Sequence, residues 1–181
     1  MRTPSRHMPK FVPRPVTWVG WLVQILIAAA IVGFFWSAPK ALYFIPVVAI
    51  GFVIEARRRK RRLQRMAKDR AVESICTFAR SFDCSETDTW VVRAVYEQLQ
   101  AYLRGDVPAF PLRREDNLVK GLGIDPEDLD YDIVDEIAAR TGRSLENSEQ
   151  NPYWEKVETA GDLVQFFLHQ PKTDIAQALK S

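Results

Sequence analysis

Leu122-Gly123-Ile124-Asp125-Pro126-Glu127-Asp128-Leu129-Asp130-Tyr131-Asp132-Ile133-Val134-Asp135-Glu136-Ile137-Ala138-Ala139-Arg140-Thr141-Gly142 reads as one helix with both of its ends marked. Asp125 suits the cap, because its carboxylate can accept a first-turn N–H that has no helical partner. Pro126 suits the first helical position, where a missing N–H costs nothing. Glu127 and Asp128 place negative charge at the positive end of the helix dipole. Leu129, Ile133, Val134, Ile137 and Ala138 form a stripe at helical spacing, and Gly142 ends it. The remaining surface carries Asp128, Asp130, Asp132, Asp135 and Glu136.

The same signals recur on both sides. Ser85-Glu86-Thr87-Asp88 predicts a capped helix to about Leu103, with Val91, Ala94, Val95, Gln98, Leu99 and Tyr102 facing inwards and Gly105 behind it. A polar connection with Pro108 and Pro111 leads to the turn before Asp125. Thr159 and Asp162 predict a capping box for a last helix that turns Leu163, Phe166 and Phe167 inwards and stops before Pro171. Asn151-Pro152-Tyr153-Trp154 is an aromatic turn ahead of it, either a plug for the bundle end or a binding knob. No run alternates with period two, so the predicted fold class is all-α.

In this order, Leu122-Gly123-Ile124-Asp125, the acidic helix closed by Gly142, and Thr159-Ala160-Gly161-Asp162-Leu163 resemble an acyl carrier protein over about residues 86–170. The resemblance implies a three- or four-helix bundle whose acidic second helix docks on basic partners. Carriers attach phosphopantetheine to a Ser in an Asp-Ser-Leu motif opening that helix. Here Asp125, Pro126 and Asp128 stand around that place, and Ser144 lies past the helix end. The pattern is closer to a bacterial carrier-like family of unknown function that lacks the attachment Ser. It therefore implies the fold and the docking surface (Asp128, Asp130, Asp132, Asp135, Glu136), with no cofactor.

The amino-terminal part has a different character. Residues 1–70 hold 14 Lys/Arg against 2 Asp/Glu, and residues 71–181 hold 11 against 21. Val16–Trp36 is almost wholly apolar, with Trp18, Trp21 and Trp36 near its ends, and Ala41–Ile54 is a second apolar run containing Pro46. These predict a transmembrane helical hairpin over 16–56, following a basic arm over 1–15. Arg57, Arg58, Arg59, Lys60, Arg61, Arg62 and Arg65 open a basic helical stalk over 57–82, expected to face anionic lipid headgroups. The positive-inside rule puts both termini in the cytoplasm of a multi-pass inner-membrane protein. The acidic domain then covers 83–171, with a tail over 172–181.

The chemistry is bounded by what is scarce. Cys76 and Cys84 lack metal or redox spacing, and His7 and His169 lie far apart, so no metal site is expected. No nucleophile triad, phosphate loop or HExxH occurs, which argues against an enzyme. No aromatic residue interleaves the basic run, which argues against nucleic acid. The expected function is a membrane-anchored, non-catalytic carrier-like adaptor for a basic cytoplasmic protein. The alternative is a genuine membrane-tethered acyl or peptidyl carrier in lipid or secondary-metabolite assembly.

Overall fold

A computed structural model of the chain describes residues 18–37, 44–83 and 87–173. These residues are helical and contain no strand; Asn117 with Thr159 and Arg143 with Lys172 form isolated bridges. The chain divides into two compact units, one spanning Val12–Arg59 and the other including Lys60–Ser181.

The first unit holds α1 (Trp18–Ser37) and the start of α2 (Phe44–Asp69). Trp18, Trp21, Leu26, Val47 and Phe52 are among the apolar side chains that these segments expose. Among the described residues, no helix is long and apolar enough to cross a membrane. On α2 the apolar part stops at Ile54, ahead of Glu55 and the cations, which gives about 16 Å. That run falls short of a hydrocarbon layer of about 30 Å. This finding overturns the expected two-span hairpin and the inner-membrane location. The connection 38–43, the arm 1–15, Ser85, Glu86, Cys84 and most of the tail lie outside the described residues.

In the second unit, Leu63 of α2 is fully buried beside Phe78 and Phe82, and Met66 and Ala67 pack against the same core. The helical stalk expected over 57–82 is broken. Glu73 N–H bonds the Arg70 carbonyl at 2.9 Å, and α3 (Ile75–Arg80) restarts under its own capping box. Ser74 Oγ accepts the Cys76 N–H at 3.3 Å, and Thr77 Oγ1 accepts the Ser74 N–H at 2.7 Å. The two hydroxyls satisfy first-turn donors that a continuous helix would have bonded internally.

α4 (Thr89–Leu103) packs on α3, on α6 (Val134–Thr141) and on α7 (Ala160–His169). Its start differs from the expectation by one turn. Asp88, three residues beyond the expected cap, is the cap itself, with Oδ1 accepting the Trp90 N–H at 3.1 Å. Val91, Ala94, Val95, Gln98 and Leu99 are buried as their spacing requires, and Tyr102 is half-buried. Gly142 closes α6 at φ +63°, which an L side chain adopts only at a cost.

The box on α7 forms in both directions. Asp162 N–H reaches Thr159 Oγ1 at 3.1 Å, and Thr159 N–H reaches Asp162 Oδ2 at 2.9 Å. Gly161 lets the connection approach closely: its N–H bonds the Arg114 carbonyl at 2.8 Å, and a Cβ there would lie 2.6 Å from Arg114 Cγ. Leu118 N–H to the Glu158 carbonyl and Ala160 N–H to the Asp116 carbonyl, both 2.9 Å, fix the 117–124 turn against the start of α7.

Candidate functional site

The acidic helix keeps its marked ends but not its regular middle. Asp125 caps α5 (Pro126–Asp128) by accepting the Glu127 N–H at 2.9 Å. Leu129–Ile133 then forms a π turn before the α-helical spacing resumes at Val134. A π turn inserts one extra residue into the helical ladder and re-aims the side chains on either side of it. Leu129 and Ile133 stay in the core, whereas Asp130, Tyr131 and Asp132 face solvent, Tyr131 with 74% of its surface exposed.

The five acids of the expected docking surface therefore differ. Asp130, Asp132 and Asp135 are exposed and have no ion pair among the described residues. Glu136 is half-buried. Asp128 is half-buried and engaged, its Oδ2 accepting the Tyr102 hydroxyl at 2.7 Å. That bond ties α4 to the turn just ahead of the π segment.

Beside the π turn lies a cavity of about 630 Å³. Its walls come from Leu129–Val134, from the segment 145–157 and from α7. Leu129, Leu163 and Phe166 are buried and form its floor; Asp130, Tyr131, Glu149, Trp154 and Glu155 are exposed around its mouth. Asn151 pins the wall, its Nδ2 donating to the Phe166 carbonyl at 2.9 Å and its Oδ1 accepting the Tyr153 N–H at 2.9 Å. The aromatic turn divides its two roles. Tyr153 packs inwards against the His169 ring at 5.3 Å, and Trp154 keeps 41% of its surface exposed.

Backbone irregularity concentrates here. Asn147 at φ +57° and Glu155 at φ +56° are the positive-φ non-glycine residues of the described chain, and both line the cavity with the π turn. Asn tolerates the left-handed region, but Glu has no such ease. Sequence reasoning reached Trp154 and the acids but missed Asn147, Glu149 and Glu155. The cavity joins segments that no local pattern links.

Among the described residues, no group of three or more His, Cys, Asp or Glu is placed to hold a metal ion. Around the place where a carrier has its attachment Ser, Asp125 serves as cap, Pro126 as first helical residue and Asp128 as acceptor for Tyr102. Ser144 lies beyond Gly142, and its Oγ accepts the Glu146 N–H at 3.1 Å. Of the basic set, Arg57, Arg58, Lys60, Arg61, Arg62 and Arg65 are exposed and Arg59 is half-buried. Arg62 Nη1 donates to the Lys120 carbonyl at 3.1 Å. No family model matches the chain, and neither a curated protein nor a solved structure matches it.

Proposed function

We propose that the helical domain is a non-catalytic, carrier-like binding module whose acidic ridge docks a basic segment of a partner protein. One observation carries this reading: Asp130, Asp132 and Asp135 stand exposed and, among the described residues, without an ion pair, around a π turn that buries its apolar neighbours. Three other carboxylates of the domain are paired. Asp88 meets Arg143 and Lys172, Glu97 meets Arg93 and Arg140, and Asp116 meets Arg70. Unpaired like charges on one short segment repel each other, and a cationic partner relieves that repulsion. Asp125, Pro126 and Asp128 offer no hydroxyl for a phosphodiester, which favours docking without a covalent cargo.

The test is titration of the full chain with a fluorescent nona-lysine peptide at low and at physiological salt. Asp130→Asn/Asp132→Asn/Asp135→Asn is expected to weaken binding about tenfold at low salt, with the difference shrinking as salt is added. Equal affinity of variant and parent removes the ridge as the docking surface. Incubation with coenzyme A and a phosphopantetheinyl transferase is expected to leave the intact mass unchanged, and a cofactor-sized gain would establish the carrier alternative instead.

A further inference from the structure

The cavity beside the π turn is charged with one sign only. Its lining includes the carboxylates Asp130, Glu149 and Glu155 and, among the described residues, contains no Lys, Arg or His. Lys156, next in the chain to Glu155, is not part of the lining, and its Nζ donates to the Pro152 carbonyl at 3.0 Å. Beneath this mouth the floor is apolar, built on Leu129, Leu163 and Phe166. Tyr131 and Trp154 add exposed aromatic rings to the opening.

Each of these features selects a property of the occupant. Three carboxylates and no cation disfavour a fatty acid or a phosphate and favour a positive charge. Aromatic faces attract an ammonium, most strongly where water is partly excluded. An apolar floor rewards a hydrocarbon or aryl body, at roughly 25 cal/mol for each Å² removed from water. The volume lies within the range of about 300–1,000 Å³ in which small-molecule sites fall.

We infer that this cavity binds an amphiphilic organic cation, an alkyl- or arylammonium whose apolar body lies on Leu129, Leu163 and Phe166 and whose head meets Asp130, Glu149 and Glu155. The inference goes beyond docking at the acidic ridge. Asp132 and Asp135 do not line the cavity, and a small cation needs no protein partner.

The experiment titrates the full chain with decyltrimethylammonium below its micelle-forming concentration, with decanoate and decanol in parallel, by calorimetry. The cation is expected to bind saturably with one site per chain, about tenfold more tightly than decanoate, with decanol between them. Glu149→Gln/Glu155→Gln is expected to weaken the cation about fivefold while leaving nona-lysine binding in place. Asp132→Asn/Asp135→Asn is expected to do the reverse. Both pairs of residues are exposed, and an unchanged urea midpoint verifies the fold of each variant. Equal affinity for the three amphiphiles, or no saturable binding of the cation, overturns the inference. So does unchanged affinity in the Glu149/Glu155 variant, which would place the amphiphile elsewhere, for instance on the exposed apolar side chains of α1.

Discussion

Arg70 Nη1 lies 2.7 and 2.8 Å from the two carboxylate oxygens of Asp116, 46 residues further along the chain. Only 4% of the Asp116 side chain and 15% of the Arg70 side chain are exposed. Asp116 Oδ2 also accepts the Arg113 N–H at 2.8 Å, and Arg113 reaches Glu73 through Nε at 2.7 and 2.9 Å. The turn after α2 is thereby joined to the connection that precedes the acidic helix. Removing one member of a buried pair leaves the other desolvated and uncompensated, which costs about 3–5 kcal/mol. Asp116→Ala is expected to destabilise the protein by about 3 kcal/mol in urea unfolding. A loss below about 0.5 kcal/mol would show the pair to be only a surface contact.

Glu155 is held at φ +56° without the compensation that Asn or Gly provides. A left-handed conformation costs an ordinary L residue roughly 1–2 kcal/mol. Glu155→Gly is therefore expected to raise stability by about 1 kcal/mol and the thermal midpoint by about 3 °C. Asn147→Gly, at nearly the same φ, is expected to change the midpoint by less than about 1 °C, because Asn already tolerates that region. A lowered midpoint for Glu155→Gly would mean that its side chain stabilises the wall by more than the strain it carries.

Acid should loosen the bundle through the carboxylates that it pairs. Burial pushes Asp88 up, but hydrogen bonds from Lys172, the Trp90 N–H and Arg143 outweigh it and leave the group below its ordinary 3.8. Burial likewise raises Glu97, and Arg140 and Arg93 more than offset it, leaving the group below 4.5. The folded state then binds fewer protons than the unfolded state, so unfolding takes up protons as the pH falls. The stabilisation is complete above the ordinary values and is lost as the pH falls through the lowered folded ones. Urea midpoints are expected to hold steady down to about pH 5 and to decline from about pH 4 downwards. Glu97→Gln is expected to give a shallower decline, and an identical pH profile would exclude Glu97 as a contributor.

The ends of the helices were legible because capping is local. Asp125, Gly142, Thr159 and Asp162 signal their roles within four residues, and the structure uses each of them as read. The inner face of α4 was legible from period alone. The break after Asp69 was not, since every residue from Glu55 to Phe82 is compatible with helix and only the Ser74–Thr77 box and the distant Asp116 interrupt it. Nor was the π turn, because a stripe at Leu129, Ile133 and Ile137 suits a regular helix equally well. The apolar runs near the amino terminus suggest spans by composition, yet among the described residues no helix is long and apolar enough to cross a membrane. The cavity depends on tertiary contact between 129–134, 145–157 and α7, a relation that no window along the chain contains.

Tyr102 tests whether the π turn is held from outside. Its hydroxyl donates to Asp128 Oδ2 at 2.7 Å, linking α4 to the last residue before the turn. A partly exposed hydrogen bond to a carboxylate contributes about 1 kcal/mol, and Tyr102→Phe removes it while keeping the ring. The loss is expected to fall locally, because the segment beyond Asp128 has solvent on its acidic side and only Leu129 and Ile133 in the core. Amides of Asp130–Val134 should exchange several-fold faster in the variant, while those of α7 keep their protection. If exchange rises equally throughout the domain, Tyr102 supports the fold as a whole, and the π turn is held by the packing of Leu129 and Ile133 alone.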